Sequence, residues 1–193
     1  MHLTTTKPIH DLESRAKILR ARIIETSHKA KIPHLGSCLS CVDILTALYF
    51  SVLRIDAKNP TAKERDRFIL SKGHGAPALF QVLAMRGFYP EEMLEKYGED
   101  GGVFAEHPPA PGYLPGIEAA TGSLGHGLPI ALGMALAARM HKQNYNVYAV
   151  LSDGECNEGS VWSAALAVPK SFLCFTNLTK GDGSPKDSET STD

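Results

Sequence analysis

The chain has no excess of basic residues. Twenty Lys and Arg stand against 21 Asp and Glu, a formal net charge of −1, so the clustered basic face that a nucleic-acid partner requires is not expected. No apolar run is long enough to span a bilayer; the longest, 128-LPIALGMALAA-138, falls well short. The opening residues, 1-MHLTTTKPIHDLESR-15, lack the apolar centre of a secretory signal. Cysteine is sparse. Four residues, Cys38, Cys41, Cys156 and Cys174, in a chain of 193 make no disulfide framework. Internal repeats are absent too. These features predict a reduced, cytoplasmic protein with no membrane and no nucleic acid among its partners. What is present is ordinary: 43% hydrophobic and 21% charged residues suit one domain with a sizeable core.

Helical and strand patterns alternate along the chain. Leu12, Ile18, Leu19, Ile23 and Ile24 have helical spacing over 11–30, with Asp11 as the expected N-cap. A second helix is expected over 41–53, apolar almost all round and therefore buried. A polar loop, 54–66, leads to a short strand at Arg67–Leu70 and the loop 71-SKGHGA-76. Another apolar helix follows over 76–87, then a short one from Tyr89 to about Tyr97. Residues 98–117, rich in Gly and Pro, read as an irregular loop. The glycine-rich turn 121-TGSLGHG-127 precedes a helix over 128–143, and a strand at Val147–Leu151 runs into 152-SDGECNEG-159. This order predicts a parallel α/β sheet, whose ligands gather beyond the carboxyl ends of the strands.

Two strand ends thus carry polar, glycine-bearing loops, and each motif admits two readings. Asp153-Gly154 offers one carboxylate for a hard cation such as Mg²⁺ and a glycine that lets backbone approach a phosphate; it is also among the commonest turn dipeptides, and taken alone the turn is the favoured reading. Gly122, Gly125 and Gly127 before a helix suit an anion, or only close packing of that helix; the spacing is not that of the dinucleotide fingerprint. His34, His74, His107 and His126 all sit beside Gly or Pro in loops, where they are either solvated or gathered in a polar site able to bind phosphates and move protons. Cys38 and Cys41 have the spacing of a redox pair or half a zinc site. No second pair follows, and two small core residues is the favoured reading.

Taken in order, HLGS after the first helix, SKGHG, TGSLGHG and strand–SDG resemble the N-terminal, thiamine-diphosphate-binding half of transketolase, from about Asp11 to Trp162. The likeness is greatest to split enzymes, in which this half is a separate subunit. It implies the diphosphate-binding domain of the thiamine-diphosphate fold, a parallel sheet with helices on both faces. It implies two-carbon ketol transfer between sugar phosphates, with thiamine diphosphate and Mg²⁺ or Ca²⁺ as cofactors. It implies catalytic roles for His34 and His107. Cofactor contacts fall to His74, Gly122, Ser123, Leu124, His126, Gly154 and Glu155, and the metal to Asp153, though the family's leading Gly is Ser152 here. Glu158 matches an acidic residue near the subunit interface. The cofactor itself performs the carbon–carbon chemistry, so the protein's task is positioning and proton transfer.

The family's relay glutamate lies on a pyrimidine-binding domain, so a C-terminal partner subunit is implied, within a homo- or hetero-oligomer. The family closes its metal site with an asparagine about thirty residues after the aspartate. That position is Gly183 here, and the nearest asparagine is Asn177. Pro169 interrupts the expected helix, Phe172–Leu178 can fill the next strand slot, and 181–193 has no apolar residue and is expected to be disordered. The expected organisation is an extension at 1–10, a cofactor-binding domain at 11–180 and a polar tail at 181–193, with a divergent or truncated C-terminal end. Such a chain is expected to be marginally folded and silent when alone. A non-catalytic remnant and a thiamine enzyme of the deoxyxylulose-phosphate synthase kind are the competing readings.

Overall fold

Residues Phe68, Leu70, Tyr148 and Val150 face one side of a parallel sheet, and Ile69, Val147 and Ala149 face the other. This period-2 division follows from the pleat, and apolar groups on both faces require cover on both. The computed structural model describes residues 9–167 and 174–176. Strand β1 (Arg67–Leu70) pairs with β2 (Val147–Val150), and β2 with β3 (Cys174–Thr176), all parallel, in the order β1-β2-β3. Helices α1 (Ile9–Ala30), α3 (Val42–Ala47) and α4 (Ala76–Arg86) bury the first face, and α5 (Gly127–Met140) with α6 (Gly159–Ala167) bury the second. The expected doubly covered sheet is therefore present, and the strand slot expected within Phe172–Leu178 is filled at Cys174–Thr176. Pro169, Asn177, Gly183 and the expected tail lie outside the described residues.

Helix α1 begins at Ile9, so Asp11 is not its N-cap; it sits in the first turn, where Arg15 Nε donates to its Oδ2 at 2.9 Å. The buried stripe is Ala16, Leu19, Ile23 and Ser27. Ile18 and Ile24 are exposed, because each stands next to a residue that takes the inward position. Helix α2 (Leu35–Ser40), which the sequence pattern leaves as loop, precedes α3, which continues into a π-helical turn at Leu48–Val52 rather than as α-helix to residue 53. Every residue of α4 from Ala76 to Ala84 is buried, which is why its sequence shows no polar face. Gly87 ends that helix with φ 90, the left-handed conformation that lets its N–H reach back to Leu83 O and Ala84 O.

The irregular segment 98–117 is anchored rather than loose. Phe104, almost fully buried, packs edge-on against Phe80 at 5.3 Å and tilted against Tyr89 at 5.5 Å, while Tyr97 Oη donates to Ala105 O at 2.9 Å. At the opposite end of the sheet, the buried carboxylate of Asp66 accepts from Arg54 N at 2.9 Å and from Asn146 N at 2.8 Å. That pair of bonds fixes the entry points of β1 and β2.

Candidate functional site

The loops leaving β1 and β2 meet the glycine-rich turn at the carboxyl end of the sheet. Thr121 Oγ1 donates to Leu70 O at 2.7 Å. A Cβ added to Gly73 would lie 2.6 Å from Gly122 N, so the turn rests directly on the β1 loop. One added to Gly122 would lie 2.8 Å from His107 Cδ2, so the anchored 98–117 segment lays its histidine over the turn. Gly127, at the start of α5, packs against Ser71 in the same way. The close-packing reading of these glycines is what the contacts show, and that packing brings the backbone of three loops together at one end of the sheet.

His34 stands in the left-handed conformation, φ 69, at the entrance of α2, and its ring is 5.3 Å from that of His74. His74 is half-buried. Burial lowers its pKa most, and the Lys72 ammonium, His34 and His107 lower it further, while Glu155 opposes them. The structure therefore gathers His34, His74 and His107 from three separate loops, in keeping with the sequence. Lys72 is an addition that the sequence reading lacks. It is 5% exposed, and Nζ donates to Ser37 O at 2.8 Å and Ser40 Oγ at 3.0 Å, tying the β1 loop to α2. Its place directly after a strand, beside Gly73, is the signal that could have found it.

A histidine with a lowered folded-state pKa binds fewer protons folded than unfolded. Its contribution to stability is intact above its ordinary value of 6.5 and is lost as pH falls below that. The urea midpoint of the wild type is expected to fall more steeply from about pH 7.5 to about pH 5.5 than that of His74→Gln. Parallel curves would remove His74 as the source.

Asp153 is exposed at the end of β2, and its side chain caps no N–H of the 3₁₀ turn that begins at Gly154. A Cβ on Gly154 would meet none of the described residues within 4 Å. Ser123 and His126 are exposed and Leu124 half-buried; His126 Nδ1 lies 3.1 Å from Leu124 O. Glu155 behaves differently from its expected role as a cofactor contact. Its side chain has no exposed surface and accepts from Ser71 Oγ, from Gly125 N at 2.8 Å and from Ser152 N at 3.3 Å. It is turned into the protein, where these partners take up its oxygens.

Cys38 and Cys41 are buried thiols. Burial, and then Cys41, push Cys38 up to about 11, and burial also raises Cys41. Neither is a thiolate at neutral pH, which fits two small core residues. Among the described residues no group of three or more His, Cys, Asp or Glu could hold a metal. The donor set at Asp153 fits an ion that takes one or two carboxylates and fills its shell with phosphate oxygens.

A doubly covered parallel sheet, with glycine-built loops and exposed carboxylates at adjoining strand ends, defines an open α/β domain of the class whose ligands gather beyond the carboxyl ends of the strands. The chain belongs to the family of the transketolase, thiamine diphosphate binding domain, which matches residues 12–171 and so runs past Trp162. It is 43% identical over 159 residues to one subunit of the apulose-4-phosphate transketolase of Phocaeicola vulgatus, covering 82% of this chain and 56% of that one. It is 41% identical over 156 residues to the 6-deoxy-6-sulfo-D-fructose transketolase subunit SqwG of a Clostridium species, covering 81% and 56%. The crystal structure of transketolase from Campylobacter jejuni superimposes with a TM-score of 0.75 at 32% identity, over 82% of this chain and 26% of that one. The chain thus spans about half the length of the split-type relatives it matches. No helix among the described residues is long and apolar enough to cross a membrane.

Proposed function

We propose that the chain is the cofactor-binding subunit of a split transketolase, moving a two-carbon ketol unit between sugar phosphates in the cytoplasm, together with a C-terminal subunit that supplies the pyrimidine-binding domain and its glutamate. The observation that carries this reading is the meeting of the His34 and His74 rings, with His107 laid on the Gly122 turn beside them, at a sheet end that also presents Asp153 and Gly154. Asp153 would ligate Mg²⁺ (or Ca²⁺), with Gly154 leaving room for the diphosphate. His74 would hydrogen-bond the diphosphate, and the backbone around Gly122, Ser123, Leu124 and His126 would hold the aminopyrimidine. Thiamine diphosphate, when bound, supplies the nucleophilic carbon. His34 would orient the donor's reacting end and His107 its hydroxyls. Two relatives are named as subunits, which supports the partner chain, and they are named for a phosphorylated and a sulfonated sugar, which supports a ketose bearing a terminal anion.

The test combines the chain with a C-terminal subunit from a split relative, Mg²⁺ and thiamine diphosphate, and follows ketol transfer from xylulose 5-phosphate. Absence of both cofactor binding and turnover would remove the reading. In that assembly, His107→Ala is expected to lower kcat by about a hundredfold while cofactor affinity changes by less than about threefold. A loss of cofactor affinity matching the loss of turnover would contradict the role of His107.

A further inference from the structure

The carboxylate of Glu155 belongs to none of the roles above, yet it is among the most deeply buried groups in the protein. A buried polar group persists only where hydrogen-bond partners satisfy it. Here the donors come from three segments: Ser71 at the end of β1, Gly125 in the glycine-rich turn and Ser152 at the end of β2. Each segment carries groups assigned to the cleft. Ser71 leads to His74, Gly125 stands between Leu124 and His126, and Ser152 precedes Asp153. Gly125 is held from its other side as well, because its carbonyl accepts from Ser160 Oγ at 2.8 Å. We infer that Glu155 is a positioning residue, a single buried side chain that sets the three loops at this end of the sheet in register with one another.

The chemistry requires a carboxylate. All three partners are donors, one hydroxyl and two amides, and four acceptor lone pairs are available to receive them. A carboxamide of the same size has one acceptor oxygen, so Glu155→Gln would set its NH₂ against a backbone N–H and leave at least one donor unpaired. The loops would remain attached to their strands, and what is lost is their mutual placement. The electrostatic influence of Glu155 on His74 accords with this central position.

The inference depends on the proposed function only for what the cleft binds. Hydrogen exchange of the full chain without cofactor tests the ties themselves. In Glu155→Gln the amides of Gly125 and Ser152 are expected to exchange about tenfold faster than in the wild type, with protection in α1 and α4 unchanged. Ser71→Ala, which removes one donor only, is expected to shift the Gly125 and Ser152 amides the same way by a smaller factor, and it decides alone if Glu155→Gln does not fold. In a second arm, with a C-terminal subunit, Glu155→Gln is expected to weaken thiamine diphosphate binding about tenfold, while Ile23→Val, a core change far from the loops, leaves it unaltered. Unchanged Gly125 and Ser152 amides, or protection lost evenly through α1 and α4, would overturn the inference. If the wild type binds no thiamine diphosphate, the proposed function fails while the exchange result still decides the role of Glu155.

Discussion

Asp153→Ala is expected to weaken thiamine diphosphate binding in the presence of Mg²⁺ by at least about a hundredfold, since loss of an outer-shell group alone typically costs ten- to a hundredfold. The side chain is exposed at the end of β2 and caps no N–H of the turn that follows it, so its removal takes no cap bond from the described residues. The melting temperature should therefore stay within about 2 °C of the wild type. Titration calorimetry, carried out with a C-terminal subunit present, separates the two effects. Affinity that survives the substitution would sink the assignment of Asp153 to the metal.

Gly73→Ala is expected to destabilise the domain by about 3 kcal/mol, a large share of a net stability of about 5–15 kcal/mol. The added Cβ would stand 2.5 Å from Thr121 C and 2.6 Å from Gly122 N. Both are backbone atoms, and neither can rotate away as a side chain would. Relief requires the glycine-rich turn to lift from the β1 loop, which would also open the cleft. Gly154→Ala is the matched contrast, since its Cβ meets none of the described residues within 4 Å. It should change stability by less than about 0.5 kcal/mol, while placing a methyl group where the diphosphate is proposed to lie. Urea unfolding of both variants distinguishes them, and equal stability losses would show that crowding at Gly73 is not what matters.

The parts of the fold that are legible in the sequence are those in which local pattern and tertiary role agree. The strand Arg67–Leu70 is legible with its observed bounds, because an apolar run between a polar loop and SKGHG has few other uses in an α/β chain. Helix α2 is not. Leu35-Gly-Ser-Cys-Leu-Ser is poor in helix formers, and its turn is braced from outside by the Lys72 ammonium on Ser37 O and Ser40 Oγ. The same limit applies to the acidic loop. Asp153, Glu155 and Glu158 are three carboxylates within six positions, and nothing in their order distinguishes the exposed Asp153 from the buried Glu155. That distinction comes from donors at Ser71 and Gly125, which are remote in sequence and reach Glu155 only once the sheet has formed. The histidines are legible as a group because each stands beside Gly or Pro, although the meeting of His34 and His74 at 5.3 Å depends on the placement of α2 against the β1 loop.

The pairing of β1 with β2 joins segments far apart in the chain; the bond from Asn146 to Asp66 alone closes 80 residues. On the ribosome, Phe68, Ile69 and Leu70 leave the exit tunnel long before Val147, Ala149 and Val150 exist to receive them. At a synthesis rate of about 5–20 residues per second, that interval is on the order of ten seconds. Through it the strand edge is unpaired, with only α1, α3 and α4 available to shelter one face. The nascent chain therefore carries a half-covered strand whose edge is open to a neighbouring copy, and closure of this long-range parallel pair is expected to be slower than the formation of any helix.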